Sequence, residues 1–156
     1  MRPFLAAIAS LLVAVGCGSQ ENAGERLTKA EYQDAIRNVL QTSQPADRLF
    51  SELVGGDLSQ DGCASKLREF HAELEEIVDE VETISPPEDV ADLQAEFLAG
   101  AHDSVDVVGK TIDRVETGEI SCGEQLNRAI YGLASTERAE RALYRIESKG
   151  YFIFGE

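Results

Sequence analysis

His71 and His102 are the only histidines in the chain, and each falls in a stretch whose apolar residues recur at helical spacing. His71 shares a stripe with Phe70 and Leu74, and His102 follows Ala101. On facing antiparallel helices the two imidazoles would meet near Glu75 or Asp103, the way side chains assemble a metal site inside a helical bundle. The Glu-x-x-His spacing of such sites is missing, because Arg68 and Ala99 stand three residues before the histidines. Removal of Met1 also leaves no methionine for copper. A hydrogen-bonded histidine at the edge of a core is the simpler role for both. No Gly-x-Ser-x-Gly turn offers a nucleophile, and no glycine-rich loop is present to cradle phosphate. Carboxylates are abundant, yet on helix exteriors they are ordinarily solvated, and no general acid and base stand out among them. The expectation is a protein without catalytic residues, cofactor or enzymatic activity.

A second candidate for cation chemistry is the run from Asp57 to Gly62, DLSQDG. It resembles the first half of an EF-hand calcium loop, which implies Asp57, Ser59 and Asp61 as ligands and Gly62 as the turn. The resemblance stops at the twelfth position, where the loop needs a bidentate Glu and this chain has Arg68, with Glu69 one place late. A turn leading into a helix cap is the plainer role. A divalent cation held by Asp57, Ser59 and Asp61, or by the histidines, stands as the alternative to a module that binds no metal.

Charge removes one class of partner. The 29 acidic residues outnumber the 14 lysines and arginines, for a net charge of −15. Phosphate backbones need a basic footprint, so nucleic acid is excluded. The same charge opposes close contact with anionic lipid headgroups.

The first residues address the chain. Arg2 gives a positive start, Phe4 to Val15 is an apolar stretch of 12 residues, and Ala14 and Gly16 supply small side chains before Cys17. A bilayer core takes roughly 20 apolar residues, so the stretch reads as a removable signal and not a membrane helix. Ala14-Val15-Gly16-Cys17 resembles the lipobox of bacterial lipoproteins, with Ala14 where Leu is commonest. That resemblance implies loss of residues 1–16, acyl chains such as palmitate carried through Cys17, and Cys17 as the mature N-terminus. Ordinary secretory cleavage, giving a soluble product, also suits Ala14 and Gly16. Loss of Arg2 with the signal makes the net charge −16. Two or more acyl chains hold a protein stably at a membrane, so the membrane is a partner through Cys17 and the location is extracytoplasmic. Residues 17–26 then form the lipidated Cys and a polar tether whose reach is about 15 to 20 Å.

With Cys17 assigned to lipid by this resemblance, Cys63 and Cys122 remain as an even pair, whose default state outside the cytoplasm is a disulfide. Their bridge would close a loop of about 60 residues and stabilise by about 4 kcal/mol on chain-entropy grounds. Metal ligation or two free thiols are the alternatives.

Four segments with 3.6-residue periodicity must position these groups, and no stretch alternates as a strand. The first opens at Thr28, whose spacing to Glu31 is a capping box. Its apolar positions run from Tyr32 through Leu40 and resume from Ala46 to Val54 in the same phase, across Pro45. This predicts a helix kinked near Pro45, or two short collinear helices, ending at Gly55-Gly56. The second, about 62–84, carries Leu67, Phe70, Leu74, Ile77, Val78 and Val81 on one stripe, with Glu69, Glu73, Glu75, Glu76, Asp79, Glu80 and Glu82 largely off it. Pro87, Glu88 and Asp89 suit the first turn of the third, which ends near Gly118. The fourth begins around Ser121 and Cys122, shows Leu126, Leu143, Tyr144 and Ile146, and is nearly all polar from Ser135 to Arg141.

Short connections make these segments antiparallel neighbours, so the predicted fold is all-α, an antiparallel up-down bundle of three to four helices over residues 27–150. Cys63 and Cys122 begin the second and fourth segments, at one end of such a bundle. A bridge between them needs Cα atoms within about 7 Å, which favours a three-helix core of segments two to four over a square arrangement. The apolar tail 151–156 is expected to fold back over a groove. Its other role would be protein contact through Tyr151, Phe152, Ile153 and Phe154. Pro86 and Pro87 ahead of a long helix bearing His102 loosely resemble small uncharacterised helical-bundle lipoproteins, which implies a fold and no activity. The expected function is a membrane-tethered, non-enzymatic binding or envelope-associated module, acting through its acidic helical face, its tail, or both.

Overall fold

The structure is a computed structural model that describes residues 26–56, 58–131 and 134–151, with the backbone alone for residues 131 and 134–136. Cys17, the rest of residues 1–25, Asp57, and Phe152, Ile153 and Phe154 lie outside the described residues. Within them the chain is all helical: α1 (Lys29–Thr42), α2 (Gln44–Gly55), α3 (Gln60–Glu82), a single 3-10 turn (Glu88–Val90), α4 (Ala91–Glu116), α5 (Glu124–Tyr131) and α6 (Ala134–Ser148).

Local chemistry sets these boundaries. Thr28 Oγ1 accepts the Glu31 N–H at 3.4 Å while Glu31 Oε2 accepts the Thr28 N–H at 2.8 Å, the reciprocal capping box that opens α1. The Thr28 hydroxyl, which donates to Glu31 Oε2 at 2.7 Å, and then the Thr28 N–H hold the Glu31 carboxyl below its ordinary pKa. α1 stops because Pro45, in the first turn of α2, has no N–H with which to continue the ladder. The Ser43 hydroxyl donates to the carbonyl of Leu40 at 2.7 Å, and the Thr42 hydroxyl, at 2.8 Å, joins the Ser43 N–H on the carbonyl of Val39. Of the two forms expected for the first segment, a kinked helix or two short ones, the chain takes the second, divided at Ser43. α2 ends on Gly56 in the left-handed region, φ 82°. Ser59 caps α3, its Oγ accepting the Gly62 N–H at 3.2 Å. Pro87 precedes the 3-10 turn, so it lies ahead of α4 rather than inside its first turn. α4 closes on Gly118, φ 73°, with Gly118 N–H to Val115 O at 3.0 Å and Glu119 N–H to Arg114 O at 2.9 Å, a Schellman motif.

Six helices thus make four segments, because the first and fourth are each built from two. They alternate in direction. α1 starts, α3 ends, α4 starts and α6 ends around one apolar cluster that includes Tyr32, Val81, Leu93, Ile146 and Tyr151. α2 ends, α3 starts, α4 ends and α5 starts around another that includes Leu53, Leu67, Val115, Ile120 and Leu126. These clusters define a tyrosine pole and a disulfide pole. The closest packing joins α4 to α6 and to α3, and α3 to α2, while slighter contacts join α4 to α5, α3 to α1 and α2 to α5, which closes a ring through all four segments in chain order. That is the square arrangement, and it corrects the expected three-helix core.

The bridge explains how both hold. Cys63 lies in α3, but Cys122 lies in the loop before α5, with Cα atoms 5.8 Å apart. A loop cysteine reaches across the end of the bundle without its helix touching α3 along its length. Beside it, Gly123 donates to Leu53 O at 2.9 Å and is at φ 86°. A Cβ at Gly123 would stand 3.2 Å from Gly56 Cα, so two left-handed glycines permit the close crossing of backbones.

At the other pole Tyr151 turns back and is buried, its ring edge-on to Tyr32 at 5.6 Å and its hydroxyl donating to Asp89 Oδ1 at 2.7 Å. Tyr151 is therefore a core residue of the folded bundle, as expected of a tail whose first residue folds back over it. Tyr144, expected on the apolar stripe, is 68% exposed. Glu137, Arg138, Glu140 and Arg141 are exposed, in line with the polar middle of the fourth segment.

Candidate functional site

The histidines share the α3/α4 seam but do not meet. The His71 ring lies against α4 at Gly109, where a Cβ would come within 3.2 Å of Nε2, and its Nδ1 is 3.4 Å from Glu75. His102 on α4 reaches Glu82 of α3 at 2.7 Å. The α4 positions concerned, Gly109 and His102, are two turns apart, about 10 Å along the axis. Asp103 faces Arg138 of α6 at 3.7 Å instead. Among the described residues no three His, Cys, Asp or Glu side chains converge on a point where a metal ion would sit.

The candidate calcium ligands are also placed by local structure. Gln60, Asp61 and Gly62 are already helical, and the Ser59 hydroxyl is engaged as the cap of α3. Asp61 is exposed, and Arg68, at the twelfth position of the half-loop, pairs with Glu116 of α4. A calcium loop needs this stretch to curl around the ion; here Ser59 and the residues after it begin a helix.

The site that sequence reasoning missed lies at mid-height, between the two apolar clusters. There a cavity of about 320 Å³ receives side chains from all four segments. Leu40, Ser43 and Ala46 line it from the α1/α2 break, Leu74 and Ile77 from α3, Val108 from α4 and Ile130 from near the end of α5. The geometry follows from the breaks. Where a helix ends and another starts, side-chain layers lose register and the interior is not refilled, so close packing fails locally. Phe50 and Phe70 form its disulfide-pole wall with ring centroids 5.6 Å apart.

Its polar groups are few and mostly occupied. The Ser43 hydroxyl donates to Leu40 O at 2.7 Å and that of Ser104 to Gly100 O at 2.9 Å, each within its own segment. Asp47, exposed in the first turn of α2, contributes the one charged group. Ile77 also lines a smaller neighbouring recess formed with Thr42, Glu73, Glu76 and Glu80. An apolar interior therefore adjoins a patch of carboxylates. A volume above roughly 300 Å³ is that of small-molecule sites, which are apolar with a few placed polar groups. The sequence signal for it was Pro45 interrupting a continuous apolar phase.

The carboxylate patch belongs to a longer bias. Between Glu69 and Gly109 the chain carries thirteen acidic residues and no lysine or arginine. Arg145 and Arg138 of α6 offset part of it through Glu96, at 2.7 Å, and Asp103. Among the described residues, no helix is long and apolar enough to cross a membrane. No protein-family model, curated protein or solved structure matches the chain.

Proposed function

We propose that this chain is an extracytoplasmic binding module, tethered to a membrane by lipid on Cys17 and without catalytic activity, whose binding element is the mid-height cavity. The cavity carries the binding half of this reading: it is a space of ligand size, lined mainly by apolar side chains drawn from all four segments. The tethered half rests on the Ala14-Val15-Gly16-Cys17 pattern. The link between Cys63 and Cys122 supports the compartment, since such bonds persist where the environment is oxidising.

Topology suits a tether. Leu27 N–H bonds to Ser85 O at 3.0 Å and Lys29 Nζ to Lys149 O at 3.2 Å, which puts Leu27, the residue next after the proposed tether, at the tyrosine pole. The cavity then stands several helical turns from the anchor, clear of the headgroups that the acidic surface would avoid.

Photo-crosslinking in intact cells from position 50, in the cavity wall, tests the binding element. A discrete adduct that is lost when Ala46→Leu fills the cavity is the expected result. Adducts unchanged by that substitution, or none from either protein, would remove the cavity as the binding element.

A further inference from the structure

We propose that the mid-height cavity takes a single alkyl chain bearing a cationic head group, with the chain between the two apolar clusters and the head in the recess of Glu73, Glu76 and Glu80. This rests on the reading of the cavity as the binding element and adds the chemistry of its ligand. The walls decide the buried part. Both hydroxyls facing the space already donate to carbonyls of their own segments, so a ligand with buried acceptors would lose hydrogen bonds to water and gain none. Aliphatic side chains of Leu40, Leu74, Ile77, Val108 and Ile130 set an irregular surface that a flexible chain follows better than a rigid ring system. The volume is about twice that of the roughly 150 Å³ cavity that accepts benzene, which leaves room for a chain rather than one ring.

Charge decides the head group. Ile77 is shared between the cavity and the recess, so a chain seated against it ends beside the three glutamates. Asp47 supplies a fourth carboxylate at the cavity itself. An anionic head such as a carboxylate or phosphate meets repulsion from all four, whereas an ammonium gains attraction at each approach.

Calorimetric titration of the full chain carrying Cys17→Ser, so that its own acyl groups do not compete, tests this with three probes below their micellar concentrations. Dodecyltrimethylammonium is expected to bind one to one, 1-dodecanol more weakly, and dodecanoate about tenfold or more below the cation. Ala46→Leu and Ser104→Leu fill the space from opposite walls, and either is expected to abolish binding of all three while thermal unfolding stays cooperative. Glu73→Gln with Glu76→Gln should erase the preference for the cation and keep the dodecanol affinity. Equal affinity for the cation and the carboxylate, or binding undisturbed by both filling variants, would overturn the proposal. Binding that appears only after deletion of residues 152–156 would overturn it too, because the chain's own end would then be the occupant. If cells yield a cavity adduct from position 50 and no alkyl probe binds, the ligand class is wrong and the binding module stands. If neither is seen, the binding module falls with it.

Discussion

At the disulfide pole Gln60, in the first turn of α3, reaches across to the carbonyls of Val115 and Ile120, where α4 ends. At the tyrosine pole Gln94, in the first turns of α4, reaches back to the carbonyls of Val81 and Ile84, at 3.3 and 2.8 Å, where α3 ends. The same amide thus ties the α3/α4 pair at both ends, bonding to the loop carbonyls of Ile120 and Ile84 and adding a second donor to Val115 O and Val81 O, which already accept the Gly118 and Ile84 N–H groups. The surroundings differ. Gln60 is exposed and stands beside a covalent link and two left-handed glycines. Gln94 is 4% exposed, with an Oε1 that has no partner among the described residues. Its pole is held by noncovalent ties alone among the described residues: Lys29 over the Tyr151 ring at 4.6 Å, Tyr151 to Asp89, and Leu27 to Ser85. One pole is fixed by chain connectivity, the other by burial and hydrogen bonds, and substitutions should separate the two.

The largest effect belongs to the covalent pole. Replacing Cys63 and Cys122 together by Ala should lower stability by about 4 kcal/mol, read from urea unfolding under oxidising conditions. Amide exchange in the native state should then rise around α5 and the start of α3 before it rises around Tyr151. A uniform rise at both poles would break the distinction.

Gly123→Ala should cost about 1–3 kcal/mol, because it forces a side chain into the left-handed region and against Gly56. Gly118→Ala is the control. It shares a positive φ but meets nothing within 4 Å, and should cost about 1–2 kcal/mol. Equal losses in urea melts would show that the crossing of the two glycines is not tight.

Third in size, Gln94→Leu should cost about 1–3 kcal/mol by leaving the buried Ile84 carbonyl without its donor, while Gln60→Leu should cost under about 1 kcal/mol because water reaches its site. Similar values for the two would mean that burial does not distinguish the poles.

The smallest effect near neutral pH comes from the tyrosines. Burial, and for Tyr32 the nearby Tyr151, raises the Tyr32 phenol to about 12; burial and the bond to Asp89 raise Tyr151 to about 12. A raised folded-state value means the contribution is complete below the unfolded value of about 10 and is lost as pH rises through about 12. Urea midpoints should therefore fall between pH 10 and 12, and Tyr32→Phe should flatten that fall. A midpoint constant over this range would contradict the packing of the two rings.

The elements legible in the sequence were those governed by neighbours in the chain. Thr28 with Glu31, Gly56 and Gly118 each mark a helix end through local bonds, and each stands where its spacing put it. The stripe of α3 was equally clear, because its buried Leu67, Phe70, Val78 and Val81 recur at helical intervals. What depended on the third dimension was less so. Apolar phase alone does not distinguish a kinked helix from two helices, and the division at Ser43 shows only in the bonding ahead of Pro45. Cys122 was read as the start of a helix, and its position in the preceding loop turned a three-helix core into a square ring. For the cavity the only linear trace was the break at Pro45, since residues as distant as Leu40 and Ile130 line it together.

The central claim is a lipid-tethered bundle closed by one disulfide in an oxidising compartment, and the intact mass of the protein purified from membranes tests it most directly. The account predicts a chain lacking residues 1–16, heavier by acyl and glyceryl groups at Cys17, and lighter by two hydrogens for the bond between Cys63 and Cys122. A mass corresponding to an unmodified Cys17, or to two free thiols, would contradict it.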